Sequence, residues 1–484
     1  MNTSFKSAGR IAGMFLSVAL LGGSCFAEPA VTLSVTTGPP TTNLTVSGSG
    51  FPASTAVDIY FDTTELALAV TNSTGSFSGI DILVPPSALP GTNWFTGVAL
   101  VTGDAAQAPF NVQANWAQFH FAGSHSGRNP YENVLSRKTA RALGLSWSYY
   151  SSGASVYSSP AVADGVVYFG SGDGNIHALN ASTGAQLWQF ATEDSLDSSP
   201  AVANGVVYVG SANSNLYALN ASTGAKLWQF TTGGAVDSCP AVANGGVYFG
   251  SSDGNVYAVD ASSGSKVWQF ATGNSVFSSP AVANGMVYIG SEDGNIYALS
   301  QSSGALLWQF TTLDEVDSSP AVADGVVYVG SFDGNVYALS AITGGKLWQL
   351  TTGSSVVSSP AVANGMVYVG SNDGNVYALN ATGAKVWQFT TGDFVDSSPA
   401  VANGVVYVGS WDQNFYALNA RTGAKLWQFS TGNVIQSSPA VANGMVFIGS
   451  YDSNVYAFSD TATPAQAPVR PDPATLRPNP SLGN

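Results

Sequence analysis

The sequence of 484 residues predicts an all-β protein that is built mainly from one repeated unit. A proline recurs every 40 residues, with one step of 39, at Pro160, Pro200, Pro240, Pro280, Pro320, Pro360, Pro399 and Pro439. Each unit holds four short apolar runs, and Asn-Gly, Asp-Gly or Thr-Gly pairs mark tight turns between them. Only 9% of the residues are charged and 54 are glycine, which is typical of a turn-rich β protein. Four strands in a period of about 40 residues predict a β-propeller blade.

The four runs of one unit differ in ways that predict their places in a blade. The unit beginning at Ser318 reads SSPAVADGVVYVGSFDGNVYALSAITGGKLWQL, and we call its runs A (SSPAVA), B (VVYVGS), C (NVYALS) and D (KLWQL). Run A is small enough for the crowded centre of a ring, and its proline is tolerated if the innermost strand has an unpaired edge. Runs B and C are apolar at nearly every position, which indicates burial on both faces. An open solenoid is the alternative architecture.

The number of runs predicts an eight-bladed ring. Runs A to C occur eight times, but only seven of these units are followed by their own run D. The eighth tryptophan stands alone in LSWSYY (145–150), before the repeats, and the last unit ends at VYAFSD without a tryptophan. An entering outer strand that completes the last blade would leave no sheet edge unpaired. The predicted structural tryptophans are Trp147, Trp188, Trp228, Trp268, Trp308, Trp348, Trp387 and Trp427.

The repeats resemble a known family. The segment ALNASTGAKLW (218–228) is similar to the tryptophan-docking pattern of pyrroloquinoline-quinone (PQQ)-type propellers, and WAQFHFAGSHSGRNPYENVL (116–135) resembles the lead-in before them. In that family the residues matching Ala218, Gly224 and Trp228 pack between blades. The resemblance covers residues 116–459 and implies the fold. It leaves function open, because the family includes quinoprotein dehydrogenases, the outer-membrane assembly lipoprotein BamB and sensor domains.

The remaining chain divides into four predicted segments. Residues 1–27 read as an export signal, with cleavage after Ala27 or, alternatively, lipidation at Cys25. This predicts a periplasmic, outer-membrane-associated or extracellular protein. Residues 28–112 predict an immunoglobulin-like β-sandwich, 113–142 a lead-in linker before the propeller at 143–459, and 460–484 a disordered Pro-rich tail.

The sequence contains few residues that could catalyse a reaction or bind a metal. Three histidines, His120, His125 and His177, form no metal-binding pattern, and Cys239 reads as a small buried residue. PQQ is an anion, yet the Lys and Arg residues of 143–459 all fall at the C–D turn or the start of run D. We therefore expect neither a catalytic residue nor a metal site; PQQ is possible but not favoured, and Ca²⁺ stays open.

Acidic residues predict a binding face. The D–A and B–C loops of a propeller share one face, and 17 of the 20 Asp and Glu residues of 143–459 fall in these loops. Some of the B–C aspartates are turn formers. Asp197, Asp237, Asp317 and Asp396 instead precede run A at one repeated position. The other candidates are acidic residues of D–A loops (Glu193, Asp194, Asp314, Glu315) and aromatic residues of B–C loops (Phe332, Trp411, Tyr451).

These observations predict an exported, non-enzymatic interaction scaffold that acts as a monomer. The net charge of −15 makes nucleic acid a poor partner. The partner would be cationic, such as a basic protein segment or a divalent cation that bridges acidic loops. A PQQ-dependent quinoprotein oxidoreductase and a carbohydrate-binding cell-surface protein are the alternatives.

Overall fold

The computed structural model describes residues 27–461 and 468–476, so the predicted export signal and Cys25 lie outside the described residues. The first eight strands form two sheets over one shared apolar core, in the orders β1-β3-β6 and β2-β8-β7-β4-β5. Their bounds are β1 (Ala30–Leu33), β2 (Thr37–Gly38), β3 (Asn43–Ser49), β4 (Ala56–Phe61), β5 (Thr64–Val70), β6 (Phe77–Leu83), β7 (Gly91–Ala99) and β8 (Ala105–Val112). Phe95 and Phe110 lie in that core, and both are fully buried.

The lead-in follows and supplies a short strand, a 3₁₀ turn and a longer strand. These are β9 (Arg128–Asn129), η1 (Thr139–Ala142) and β10 (Leu143–Tyr150). Strand β9 runs parallel to one inner strand of the repeats, at Val401 and Ala402.

The repeats form a β-propeller of four-stranded antiparallel sheets, one of which β9 extends, and in all but the final sheet the four neighbouring strands follow one another in the chain. The first four sheets are β11 (Ala161–Ala163), β12 (Val166–Gly170), β13 (Asn175–Asn180), β14 (Gln186–Ala191); β15 (Ala201–Ala203), β16 (Val206–Ser211), β17 (Asn215–Asn220), β18 (Lys226–Thr231); β19 (Ala241–Ala243), β20 (Gly246–Ser251), β21 (Asn255–Asp260), β22 (Lys266–Ala271); and β23 (Ala281–Ala283), β24 (Met286–Gly290), β25 (Asn295–Ser300), β26 (Leu306–Thr311).

The later sheets repeat the same order, and the final one takes β10 as its outer strand. They are β27 (Ala321–Ala323), β28 (Val326–Gly330), β29 (Asn335–Ser340), β30 (Lys346–Thr351); β31 (Ala361–Ala363), β32 (Met366–Ser371), β33 (Asn375–Asn380), β34 (Lys385–Thr390); β35 (Ala400–Ala402), β36 (Val405–Gly409), β37 (Asn414–Asn419), β38 (Lys425–Ser430); and β39 (Ala440–Ala442), β40 (Met445–Gly449), β41 (Asn454–Asp460). Strand β10 pairs antiparallel with β41 and places Trp147 opposite Ala457.

Two hydrogen-bond belts join the inner strands through the Ser-Ser pair of run A. The first serine of most repeats donates its hydroxyl to the carbonyl of the next repeat's first serine, as Ser198 does to Ser238 at 3.0 Å. The backbone N–H of the second serine donates to the side chain of the second serine in the next repeat, as Ser279 does to Ser319 at 2.8 Å. The second belt returns from Ser438 to Ser159 at 2.9 Å, so its last link joins the last repeat to the first.

Seven of the eight tryptophans dock on the following repeat as the resemblance implies. Trp188 donates its indole N–H to the Ala221 carbonyl at 2.9 Å, and a Cβ on Gly224 would lie only 2.6 Å from its ring. Glycine is required there because any side chain would collide with the indole, and its φ is +71°. Trp427 differs and packs on aromatic rings, with the Phe458 centroid at 5.1 Å. The last repeat has no following C–D turn to receive it.

The lead-in lies along the inner edges of the run A strands, which the sequence analysis expected to be unpaired. Between residues 116 and 129 it meets each inner strand in turn at the central valine, for example through Val202 N–H to the Ala117 carbonyl at 2.7 Å. The last of these contacts is from the Asn129 amide to the Val441 carbonyl, at 2.9 Å. The expectation was wrong because this segment folds back into the ring and accepts the free N–H groups of the inner strands.

Two histidines of the lead-in are enclosed at the ring centre. His120 and His125 are 1% and 0% exposed, and their ring nitrogens have no hydrogen-bond partner among the residues that the structure describes. Phe119 stacks on His120, with the ring centroids 4.5 Å apart. Burial lowers the pKa of each imidazole to about 3, so both are neutral at physiological pH.

Of the tail predicted to be disordered (460–484), the structure describes residues 460–461 and 468–476. Residues 468–476 pack on the N-terminal sheets and include the 3₁₀ turn η2 (Pro473–Thr475). Asp472 caps this turn by accepting the Ala474 N–H at 3.0 Å. In this segment Pro468, Arg470 and Pro471 contact residues of the N-terminal sheets. In the described part of the chain, no helix has the length and apolar character needed to cross a membrane.

Candidate functional site

The candidate site is one face of the propeller, where the D–A and B–C loops meet. The Gly233 N–H in a D–A loop donates to the Asp253 carboxylate of a B–C loop at 2.7 Å, which shows that these loops share a face. We call the eight residues that precede each Ser-Ser-Pro (Ser-Cys-Pro in one repeat) the rim residues. They are Tyr157, Asp197, Asp237, Phe277, Asp317, Val357, Asp396 and Gln436.

The B–C aspartates serve as turn formers. Asp253 Oδ1 accepts the Asn255 N–H at 3.0 Å, while Oδ2 accepts the Tyr257 hydroxyl at 2.7 Å and the Gly233 N–H. Burial alone would raise the pKa of Asp253, but these hydrogen bonds outweigh it and hold the pKa below its usual range. The Tyr and Asn bonds recur at Asp293, Asp333, Asp373, Asp412 and Asp452. The carboxylate oxygens of the B–C aspartates are therefore occupied by hydrogen bonds that hold the loops together.

The rim aspartates have the opposite electrostatic environment. Burial, together with the carboxylates of Asp197 and Asp194, raises the pKa of Asp237 to about 6. Burial and the neighbouring Glu292 and Glu315 raise the pKa of Asp317 to about 7. These shifts mean that ionisation of the rim aspartates is unfavourable in the folded protein, because each carboxylate is partly buried and lies near other carboxylates.

Asp396 is a third such position, in a different setting. Burial raises its pKa to about 6, although the Trp411 and Asn372 side chains beside it oppose the rise. Asp317 Oδ1 is buried without a hydrogen-bond partner within the residues that the structure describes, whereas Asp396 has the Trp411 and Asn372 side chains beside it. Buried polar atoms nearly always have partners, so the unpaired oxygen of Asp317 is unusual.

The acidic residues form separate groups around the rim. Within the described residues no three His, Cys, Asp or Glu side chains lie close enough to hold one metal ion. The D–A loop residues predicted as candidates are mostly bonded locally: Asp194 accepts the Ser195 N–H at 2.9 Å and Asp314 the Glu315 N–H at 3.0 Å. Glu193 is exposed and adopts a φ of +74°.

The predicted aromatic residues are less exposed than the sequence suggests. Phe332, Trp411 and Tyr451 are all half-buried. Trp411 packs on Phe394, with the ring centroids 5.6 Å apart, and the Tyr451 hydroxyl donates to the Gln436 side chain. Phe394 and Leu313 were not among the predicted residues, although they are 42% and 89% exposed on the same face. Their signal was the variability of the D–A loops among repeats, which marked the loops but no single residue.

Family comparison agrees with the architecture. Residues 154–404, more than half of the chain, match the family model described as "Beta-alanine-activating enzyme, beta-propeller". Residues 372–481 match the model described as "Outer membrane protein assembly factor BamB". The protein is thus a β-propeller of the PQQ-like class. Within that class, the chain belongs to the propeller family that the first of these models describes, and its later repeats are also similar to the BamB model.

Solved structures show the same fold at low sequence identity. BamB from Moraxella catarrhalis is 23% identical, with a TM-score of 0.58, and the match covers 66% of this chain and 99% of that one. Quinohemoprotein alcohol dehydrogenase from Comamonas testosteroni is 16% identical, with a TM-score of 0.64 over 74% of this chain and 82% of that one. The computationally designed Ika8 protein is 18% identical, with a TM-score of 0.60 over 65% and 100%. The search of curated proteins found no match.

Proposed function

We propose that the protein is a non-enzymatic scaffold whose acidic propeller face binds a basic segment of another protein. The observation that carries this proposal is the unsatisfied rim: Asp317 leaves a buried carboxylate oxygen without a partner among the described residues. No Lys or Arg in the described chain forms an ion pair with a rim aspartate. Lys or Arg side chains of a partner would supply both the missing charge and the missing donors.

A quinoprotein oxidoreductase fits these residues poorly. An anionic quinone on this face would meet carboxylates whose ionisation is already unfavourable. The cationic side chains of the repeats lie elsewhere: Lys226, Lys266, Lys346, Lys385 and Lys425 each begin an outer strand, and Arg421 precedes one. The face therefore repels the ligand that such an enzyme needs. Titration with PQQ, monitored by its absorption spectrum, should give no saturable change.

We further infer that the repeats close as a ring of eight blades and that the N-terminal sheets are an immunoglobulin-like sandwich. The return of the second belt from Ser438 to Ser159 supports the closed ring. The shared core of the two N-terminal sheets supports the sandwich. Electron-microscopy averages viewed down the propeller axis should show eight blades, and seven or nine would refute the closure. The sequence-predicted export signal favours a role in the cell envelope, which fractionation of the expressing cells tests.

The binding proposal is tested by matched charge removal on the two faces. The test variant is Asp237→Asn with Asp317→Asn and Asp396→Asn. The control is Asp164→Asn with Asp260→Asn and Asp324→Asn, at turns where sister repeats already carry asparagine. Above pH 8, where the rim carboxylates are ionised, both lose three negative charges, but only the test variant changes the rim. Binding of a fluorescent Lys/Arg-rich peptide should weaken in the test variant and persist in the control. Equal weakening in both would show that net charge, and not the rim, binds the peptide.

A carbohydrate-binding surface is the second candidate, because aromatic rings are present on the same face. Phe394 and Trp411 form a tilted pair beside the rim. Sugar binding would depend on such rings more than on charge. Glycan arrays probed with the wild type, Trp411→Ala and Phe332→Ala would show loss of a specific signal if this reading is right. Binding of the basic peptide that is unaffected by both substitutions would favour the scaffold.

A further inference from the structure

Part of the outer face of the N-terminal five-stranded sheet is buried although no second sheet covers it in the described chain, while Leu68 and Val70 on the same face are exposed. Strand pairing places Asp58 opposite Val98 and Tyr60 opposite Thr96, on the face away from the sandwich core. Asp58, Tyr60 and Thr96 are only 2%, 2% and 0% exposed. The outer face of an antiparallel sheet normally meets water. Something must therefore cover the buried part of this one.

The described part of the tail lies on this face and makes side-chain contacts with it. The Arg470 guanidinium lies over the Trp94 ring, 4.5 Å from its centroid. Gln107, which pairs with Thr96, accepts a hydrogen bond from Arg470 Nε and donates one to the Pro471 carbonyl at 2.9 Å. Pro471 is buried as a result, although its neighbours in the tail are exposed.

A second contact fixes the other end of the segment. Pro468 packs directly over Gly91, where an added Cβ would lie 3.3 Å from the proline ring. It also lines a cavity of about 230 Å³ together with Phe61, Pro85 and Asn93. Prolines three residues apart, with an arginine on an aromatic ring between them, form the kind of extended ligand that aromatic-lined grooves recognise.

We propose that this face is a binding site for an extended proline-rich peptide that carries an arginine, and that residues 468–473 are its resident ligand. The floor consists of Trp94 and Gln107, and the first proline lies at the end of the strand, against Gly91. The proposal is independent of the acidic rim, because it concerns another domain and a peptide held by stacking and amide hydrogen bonds. It implies that a partner with the same pattern binds only when it displaces the tail.

The test uses a labelled peptide of residues 468–476, PVRPDPATL, and a chain that ends at Thr461. Fluorescence anisotropy should show the peptide binding to the shortened chain but not to the full chain, whose own tail is present at a millimolar effective concentration. An Arg470→Ala peptide should bind about tenfold more weakly, because the stacking and one charged hydrogen bond are lost. A Val469→Ala peptide is the matched control, since Val469 is 73% exposed.

Two results would overturn the proposal. One is a shortened chain that melts like the full chain and yet does not bind the peptide. The other is equal binding of the wild-type and Arg470→Ala peptides. If the shortened chain fails to fold, hydrogen exchange on the full chain decides instead: Arg470→Ala should speed exchange of the Ala474 amide, which Asp472 holds in the wild type, and Val469→Ala should not. Unchanged exchange in Arg470→Ala would refute docking of the tail.

Discussion

Asp317→Asn should stabilise the folded protein at alkaline pH. The pKa of Asp317 is raised from 3.8 to about 7 by burial and by Glu292 and Glu315, so its ionisation opposes folding. At 1.36 kcal/mol per pKa unit the ceiling is about 4 kcal/mol, and we expect about 1–2 kcal/mol because the carboxylate retains some contact with water. The cost is absent below pH 3.8, grows as the pH rises through 7 and is complete above it.

The assay is thermal melting at pH 4, 6 and 8. The melting temperature of Asp317→Asn should exceed that of the wild type by about 2–4 °C at pH 8, and the gain should disappear at pH 4. Asp324→Asn, on the opposite face, is the matched control and should show no such pH dependence. A lower melting temperature of Asp317→Asn at every pH would refute the reasoning, because it would make the carboxylate a structural acceptor.

Three further predictions concern the ring. Trp147→Ala should lower the free energy of unfolding, measured in urea, by about 3–5 kcal/mol, because it removes a buried indole that donates to the Ala181 carbonyl at 2.9 Å. Tyr150→Ala, at a side chain that is 62% exposed on the same strand, should lower it far less, and equal losses would contradict the prediction. His120 and His125 should each lower the free energy of unfolding by about 2 kcal/mol as the pH falls from 7 to 5, because their folded pKa of about 3 lies below the usual value of 6.5. The double substitution to asparagine, a residue that tolerates their positive φ, should remove this loss of stability in acid, and an unchanged pH profile would contradict the prediction. Cys239→Ser should leave the melting temperature within about 1 °C, because serine fills this belt position in the sister repeats; a large drop would show that the thiol is needed.

The repeat pattern made the propeller predictable because each signal is local. Asn-Gly and Asp-Gly turns, apolar runs of four to six residues and one tryptophan per unit are all visible along the chain. The candidate site was only partly predictable. The sequence separated the rim aspartates from the B–C aspartates by position, yet it could not show that Asp253 is bonded to Tyr257 and Gly233 while Asp317 keeps an unpaired oxygen. That difference depends on which loops meet in space.

The aromatic candidates and the tail show the same limit. Trp411 and Tyr451 stand out in the sequence, but neighbours from other loops, Phe394 and Gln436, take up part of their surface. The tail reads as disordered because it has no apolar period, and composition cannot reveal that Arg470 reaches Trp94 across more than 350 residues of sequence.

By itself the sequence determined the repeated four-stranded unit, the glycines that the tryptophans require and the side of each blade on which the acidic loops lie. These follow from short-range rules of turns, strand periodicity and side-chain size. Only the tertiary structure decided that the lead-in pairs with the inner strands, that His120 and His125 are enclosed, and that the tail covers a sheet. Each of these depends on contacts between segments far apart in the chain. Such contacts form because apolar surface is buried and because buried polar groups of one segment need hydrogen-bond partners, which the other segment supplies.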